Sequence, residues 1–336
     1  MSEKRYQGNI ISKTPVTPAG PYQDGAASGV WSLAEQKAFS AAGLWPTAGN
    51  AAPIGLFYGG YADSLSGNSN IIDKFIIATT GNATDFGDTL TITSELSGCG
   101  STTRGIIGGG QSPSPSQVNT IQYVEFATSG NASDFGDLTV ARRNLGSFSS
   151  ATRGVWGGGE SPNKNTIDYV TIASTGNATD FGDLLASQKE LSGLSSTTRG
   201  VFVGGDSSNV LQYVTIASTG NATDFGDLST TTGSRNGSVS SNTRGVTYLG
   251  NGNTLEYITI ASTGNSTDFG DANVSNHLAD GISSGTIGLF SIGVYATAAT
   301  QSITIASTGN TTTSGDLTVA RSKMGQSSNS HGGIAA

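Results

Sequence analysis

The chain has 336 residues, of which 49 are glycine, 12% are charged and 35% are apolar. This composition excludes a disordered chain, because apolar β-prone segments recur along it and its charge is low. The net charge of −8 and the pI near 4.7 argue against nucleic acid as a partner. The single cysteine, Cys99, excludes an internal disulfide framework.

No targeting or membrane segment is predicted. The amino-terminal stretch MSEKRYQGNIISKTP lacks the long apolar core of a secretory signal. No run approaches the roughly 18–20 apolar residues of a membrane span. We therefore expect the protein to be made and folded in a cytoplasm, wherever it later acts, without membrane insertion.

Residues 1–52 lie outside the repeat that fills the rest of the chain and are predicted to form an arm. Residues 14–29 are rich in Pro, Gly and Ala, which favours an extended segment. Ser32 and Glu35 have the spacing of a capping box, which predicts a short helix over 33–42.

Two of the three tryptophans, Trp31 and Trp45, flank this predicted helix, and Leu33 lies at its start. The pattern suits two roles. The arm either packs as a plug against the domain that follows, or it docks on another subunit. In the second case Trp31, Leu33 and Trp45 are the attachment residues.

From Ile54 onward the chain is organised by the stretch STGNATDFGDL, seen most clearly at Ser174–Leu184. It recurs six times, whole or altered, and the glycine of its Gly-Asn pair marks each copy: Gly81, Gly130, Gly176, Gly220, Gly264 and Gly309. Successive copies are 49, 46, 44, 44 and 45 residues apart. Each unit contains four strand-like segments, and this period is typical of the blades of a β-propeller.

The unit at 151–195 shows the predicted order of strands. An apolar segment that ends in Gly157-Gly158-Gly159 comes first, followed by 166–173, which is rich in β-branched and aromatic residues. A short outer strand passes through Phe181, and 191–196 leads into the next unit. We expect the glycine runs to lie where inner strands crowd around the propeller axis.

Six copies predict an all-β, six-bladed propeller over 53–336, with four antiparallel strands in each blade. The chain enters in mid-blade at Ile54 and ends in mid-blade, so its first and last segments are predicted to share one blade, which removes exposed sheet edges. Cys99 occupies a slot held elsewhere by Phe148 and Leu194, so we expect it in the core.

The order of residues in each unit resembles the kelch repeat. Two glycines close a strand, the next strand carries an aromatic residue, an outer strand carries another aromatic residue, and arginine follows. Arg142, Arg143 and Arg321 match its final arginine. The chain departs from the kelch pattern in two ways. The arginine position of the middle units holds Gln188, Thr232 and Asn276. The outer aromatic residue is Phe where kelch repeats have Trp: Phe86, Phe135, Phe181, Phe225 and Phe269.

The amino-acid sequence of the repeat resembles that of kelch-like structural proteins of marine bacteriophages. The segments SGVWSLAEQ and GLWP of the arm resemble the amino-terminal segments of the same proteins. The resemblance covers nearly the whole chain and implies a tail or virion-surface role by analogy.

The motif places oxygen-bearing side chains close together, for example Asn177, Thr179, Asp180 and Asp183. A calcium loop needs such ligands, but the spacing is not that of an EF-hand and no glutamate follows. The alternative is that Asn and Asp bond their own backbone and hold a turn. The six Asn-x-Ser/Thr sequons are taken as incidental, and no metal or other cofactor is predicted.

Four arginines recur at one repeat position: Arg104, Arg153, Arg199 and Arg244. They either ring the propeller mouth and bind an anionic glycan, or bond carbonyls or an aspartate of the neighbouring blade.

The junction 272–300 loses the Arg-Gly pair and gains His277 and Tyr295. That change is either drift near the ring closure or a binding patch for a partner.

The resulting expectation is a non-enzymatic phage virion protein, a tail fibre, adhesin or capsid decoration module. The arm 1–52 would attach it to other virion proteins, and the propeller would bind a protein or a host glycan; homo-oligomers are compatible with this. One alternative is a purely structural scaffold of the tail or capsid surface. A carbohydrate-active enzyme is the other, and it would need unrepeated acids clustered on one face.

Overall fold

The computed structural model describes residues 32, 34–35, 37–38, 52–65, 67–79, 81–112, 115–160, 162–233, 235–250, 252–276, 278–293 and 297–334. Contacts divide the chain into two compact units, Met1–Pro53 and Ile54–Ala336.

In the first unit, the described residues Ala34, Glu35, Lys37 and Ala38 are helical. The predicted capping box is present: the Ser32 backbone N–H donates to Glu35 Oε2 over 2.9 Å, and the Glu35 N–H donates to Ser32 Oγ over 3.2 Å. Hydrogen bonds from the Ser32 side chain and backbone lower the pKa of Glu35. The predicted attachment residues Trp31, Leu33 and Trp45 lie outside the described residues.

The second unit consists almost entirely of short strands. In chain order they are β1 (Ile54–Tyr58), β2 (Tyr61–Ala62), β3 (Gly67–Asn68), β4 (Ile71–Ile76), β5 (Thr84–Asp88), β6 (Ser97–Gly100), β7 (Arg104–Gly108), β8 (Thr120–Glu125), β9 (Ser133–Asp137), β10 (Gly146–Ser149), β11 (Arg153–Gly157), β12 (Lys164–Thr171), β13 (Thr179–Gln188), β14 (Ser192–Ser195), β15 (Arg199–Val203), β16 (Ser208–Thr215), β17 (Thr223–Thr232), β18 (Gly237–Ser240), β19 (Arg244–Tyr248), β20 (Gly252–Thr259), β21 (Thr267–Asn276), β22 (Gly281–Ser283), β23 (Ile287–Ser291), β24 (Ala299–Thr304), β25 (Thr312–Asp316) and β26 (Gly325–Ser328). Three single-turn 3-10 helices cover Asp63–Leu65, Ile77–Thr79 and Gly332–Ile334.

These strands form six four-stranded antiparallel blades and one small hairpin of β2 and β3. From the axis outward, blade 1 has the order β26-β1-β4-β5; blades 2 to 6 follow as β6 to β9, β10 to β13, β14 to β17, β18 to β21 and β22 to β25. Blade 1 closes the ring because β26 pairs with β1, with Gly55 opposite Ser328. The predicted six-bladed propeller and its shared blade are therefore confirmed.

The strand next to the axis differs from the prediction. The innermost strands are the Ser- and Gly-rich segments β6, β10, β14, β18, β22 and β26, which contact one another in a ring. The glycine runs end the second strand of a blade instead, where Gly109 and Gly110 adopt φ of +67° and +107° in a turn. Cys99 lies on an inner strand and is buried, as predicted.

Serine explains why this segment reaches the axis. Its side chain is small enough for six converging strands, and its hydroxyl bonds the backbone of the adjacent inner strand. Ser147 Oγ donates to the Gly98 carbonyl over 2.7 Å, and Ser195 Oγ donates to the Ser149 carbonyl over 2.8 Å. These bonds join blades that share no backbone ladder.

The repeated Gly-Asn turn joins each blade to the one before it. Asn177 Oδ1 in blade 3 accepts a hydrogen bond from the Asp137 N–H in blade 2 over 3.1 Å. The Gly176 N–H donates to the Phe135 carbonyl over 2.7 Å. Five more Asn–Asp pairs repeat the first bond: Asn82–Asp316, Asn131–Asp88, Asn221–Asp183, Asn265–Asp227 and Asn310–Asp271. The expectation that Asn bonds its own turn was therefore wrong, because its acceptor oxygen serves the preceding blade.

A buried polar residue on the third strand makes another bond between blades. Asp168 accepts from the Thr139 N–H over 3.2 Å and pairs with the fully buried Arg142 over 2.8 Å. In blade 4 the same position holds Gln212, whose Oε1 accepts from the Leu185 N–H over 2.8 Å. Arginine pairs with this residue where it is aspartate, at Asp168 and at Asp73, whereas the equivalent Glu256 of blade 5 accepts from Ser229 and Ser266 instead.

Candidate functional site

The four repeated arginines lie between blades. Arg199 stacks over the Tyr213 ring at 4.3 Å, and its Nη1 donates to the Ile260 carbonyl of the next blade over 2.9 Å. The other three make equivalent contacts with a tyrosine and a carbonyl: Arg104 with Tyr123 and Ile172, Arg153 with Tyr169 and Ile216, Arg244 with Tyr257 and Ile305. Cation–π stacking and a charge-assisted bond fix these guanidinium groups. This geometry matches the blade-to-blade alternative of the sequence analysis.

Two other predicted site residues, His277 and Tyr295, lie outside the described residues. Among the residues that the structure describes, no group of three or more His, Cys, Asp or Glu side chains comes together as a metal site. In the same residues, no helix is both long enough and apolar enough to cross a membrane.

The axial channel has two mouths of different chemistry. We call the end at which the inner strands begin the entry mouth, and the end at which they finish the exit mouth. Between them lies a cavity of about 50 Å³ lined mostly by serine and glycine of the inner strands, including Ser147, Ser238 and Ser283. This volume is enough for a few water molecules.

His331 closes the exit mouth. Its Nδ1 accepts a hydrogen bond from the Gly333 N–H over 3.0 Å, and its Nε2 lies 3.2 Å from the Gly100 carbonyl and 3.0 Å from Ser149 Oγ. Since Nδ1 accepts, the proton of the neutral ring is on Nε2 and points to the Gly100 carbonyl. Burial lowers the pKa of His331 to about 4.

Arg235 closes the entry mouth, at the end of the channel opposite to His331. It precedes the inner strand of blade 5, and its Nε donates to Asp280 of blade 6 over 3.1 Å. Its Nη2 donates to the carbonyls of Met324 and Leu96, both over 2.6 Å, which precede the inner strands of blades 1 and 2. One guanidinium therefore ties four blades together across the axis.

Charged side chains of alternating sign line part of this mouth in what we call the ionic arc: Lys323, Glu95, Arg143, Glu160, Lys189 and Asp206. The four shorter contacts along it, from Lys323 to Lys189, measure 2.6, 2.8, 2.7 and 3.0 Å. The arc joins blades 1 to 4, and none of its residues belongs to the copies of STGNATDFGDL. Each ionised group is held by at least one opposite charge.

The backbone beneath the ionic arc is fixed as well. Glu95, Asn144, Glu190 and Lys323 all adopt the left-handed conformation, with φ between 56° and 60°. Three of these residues donate their N–H to the neighbouring blade: Glu95 to the Lys323 carbonyl, Asn144 to that of Glu95, and Glu190 to that of Asn144, over 2.8 to 2.9 Å. Left-handed residues other than glycine cost on the order of 1–3 kcal/mol each, so the fold holds these side chains in a preorganised row.

Within the described part of the chain, several polar atoms at the entry mouth have no hydrogen-bond partner. They include Nη1 of Arg235 and Nδ2 of Asn236, both on residues that are at least 95% buried, and Nε of Arg143. A buried donor without a partner costs about 1–3 kcal/mol. The entry mouth therefore offers unused donors to an oxygen-rich ligand, beside carboxylates that accept.

Sequence reasoning singled out the variable loop 160–165 but did not predict that these charges come together. A signal was present, because the residue two positions before the inner strand changes in character along the chain: Glu95, Asn144, Glu190, Arg235, Ala279 and Lys323. No family model and no curated protein matches the chain. The kelch-like and phage resemblance therefore rests on the sequence motifs alone.

Proposed function

We propose that this protein is a non-enzymatic virion structural protein that presents the entry mouth of its propeller to a binding partner. The observation that carries the proposal is the ionic arc. Its unrepeated charges gather at one mouth, on a preorganised backbone, beside buried donors that have no partner among the residues that the structure describes. Binding surfaces that are fixed before contact lose less entropy when they bind.

The arm supports attachment to a particle. Residues 1–52 form a unit that lacks the repeat, with a capped helical segment between two tryptophans. The motifs that resemble marine phage structural proteins support, by analogy, a role as a tail fibre or a surface module of a virion. Attachment through the arm would leave the propeller to bind protein or host glycan.

Mass spectrometry of purified particles of a phage that encodes this chain tests the location. We expect the wild-type protein in the particles and its loss when Trp31 and Trp45 are both changed to alanine. A full-chain variant with Arg143→Glu tests the mouth, since it should enter particles but lose partner binding. The proposal is wrong if purified particles lack the wild-type protein.

A hydrolytic role is the second candidate, because unrepeated acids do lie on one face. Burial raises the pKa of Glu190. Burial also opposes ionisation of Glu160, but the Lys189 hydrogen bond and the charges of Arg143 and Lys189 outweigh it and lower the pKa of Glu160. A carboxyl with a raised pKa near one with a lowered pKa is the combination that acid–base hydrolysis of a glycan uses. Release of reducing ends from a polysaccharide, abolished by Glu190→Gln, would favour this role over simple binding.

A further inference from the structure

Blade 6 breaks the pattern that fills the outer part of its neighbours. In blades 2 to 5, arginine on the second strand, tyrosine on the third and phenylalanine on the fourth pack together. In blade 6 the same register positions hold Ile287, Ser302 and Ser314. Ser302 lies opposite Leu289, as Tyr169 lies opposite Val155 in blade 3. One long side chain and two aromatic rings are therefore replaced by shorter side chains.

The loss leaves space. A cavity of about 260 Å³ opens beside these positions, lined in part by Ile287, Ser302, Thr304, Thr312, Asn310 and Phe269. None of its ten lining residues is charged. Blade 1 also lacks the arginine and tyrosine, but it keeps Lys74 and Phe86 at the equivalent positions. The combination of three short side chains thus belongs to blade 6 among the six blades.

The chemistry of the lining limits the occupant. Hydroxyl groups of serine and threonine and the Asn310 amide donate and accept hydrogen bonds, while Phe269 and Ile287 offer apolar surface. A charged ligand would find no opposite charge here, and burying it unpaired would be costly. Pockets of roughly 300–1,000 Å³ hold drug-sized ligands, so a smaller molecule with a hydroxyl rim and apolar faces fits best.

We propose that this cavity binds a single neutral sugar ring. The hydroxyls of the sugar would bond Ser302, Thr304 and Thr312, and a C–H face of the ring would lie on the apolar surface of Ile287 and Phe269. The inference rests on the proposed function, because a propeller that contacts host glycans would encounter neutral sugars. It uses blade 6 and not the entry mouth, so each can fail without the other.

Saturation-transfer NMR of the full chain with glucose, galactose, mannose and N-acetylglucosamine, and with glucuronate as a charged probe, tests it. We expect transfer to at least one neutral sugar and none to glucuronate. Ser302→Tyr restores the tyrosine that blades 2 to 5 carry at this position. The ring should fill the cavity and abolish transfer. The matched control Thr313→Tyr adds the same group at the exposed neighbouring position of β25 and should leave transfer intact.

Ile287→Arg is a second filling variant in case Ser302→Tyr does not fold. An unchanged signal in the folded filling variant, or no transfer to any neutral sugar, overturns the inference. Arg143→Glu at the entry mouth should not affect the sugar signal. If sugar binding persists while purified particles lack the protein, the virion proposal fails and the blade 6 site stands.

Discussion

Asn177 in blade 3 accepts a hydrogen bond from the backbone of Asp137 in blade 2, 40 residues earlier in the chain. Because the same bond recurs in all six blades, the Gly-Asn turn of the repeat is a connection between blades. Its acceptor oxygen is engaged even though the turn lies at the surface.

Replacing Asn177 with alanine should therefore weaken the junction of blades 2 and 3. One lost hydrogen bond of this kind costs about 0.5–1.5 kcal/mol, measured as a lower free energy of unfolding in urea. Thr175→Ala, at an exposed position of the same turn, is the control and should have little effect. Equal losses in both variants would contradict the role of the Asn177 bond.

The glycines of the motif should differ in their tolerance of alanine. Gly182 and Gly176 have similar φ angles, +144° and +155°, so a side chain strains the backbone at both. A Cβ on Gly182 would lie 2.5 Å from the backbone of Gly220 in the next blade, whereas one on Gly176 would meet open space. We expect Gly182→Ala to lower the melting temperature clearly more than Gly176→Ala; the reverse order would argue against close packing of the blades here.

Arg199 should contribute to stability through both its plane and its charge. Arg199→Ala removes the stacking on Tyr213 and the bond to the Ile260 carbonyl, a loss of about 1–3 kcal/mol in unfolding free energy. Arg199→Lys keeps the charge but loses the planar group, so the free energy of unfolding of this variant should lie between those of the wild type and Arg199→Ala. If Arg199→Lys instead abolished glycan binding without changing stability, the arginines would be ligand contacts.

Acid should destabilise the exit mouth through His331. Its pKa is about 4 in the folded protein against 6.5 ordinarily. Between these values the unfolded chain binds a proton that the folded protein excludes, so the free energy of unfolding falls as the pH falls. The loss reaches about 3 kcal/mol near pH 4.

Urea unfolding at pH 7 and pH 4 measures this loss, with His331→Phe as the comparison. The variant has no imidazole to titrate, so the stability difference between wild type and variant should shrink as the pH falls. Parallel pH profiles for the two proteins would show that His331 does not cause the acid sensitivity. Asp280, whose pKa is raised by burial, is present in both and cancels in the difference.

The repeat by itself determined the fold. Six copies at a near-constant period set the number of blades, and the offset of the first and last segments indicated the shared blade. Local patterns also located the buried Cys99 and the Ser32–Glu35 capping box. These features are readable because each depends on residues that are close in sequence or that recur at one spacing.

Only the tertiary structure decided which strand faces the axis and what lies at its two mouths. Glycine runs were a misleading guide, because the turn after the second strand needs glycine as much as a crowded axis does. The ionic arc depends on pairs such as Lys323 and Glu95, which lie in different blades and carry no repeated signal. Ring closure brings such residues together, and sequence periodicity cannot report contacts that occur once.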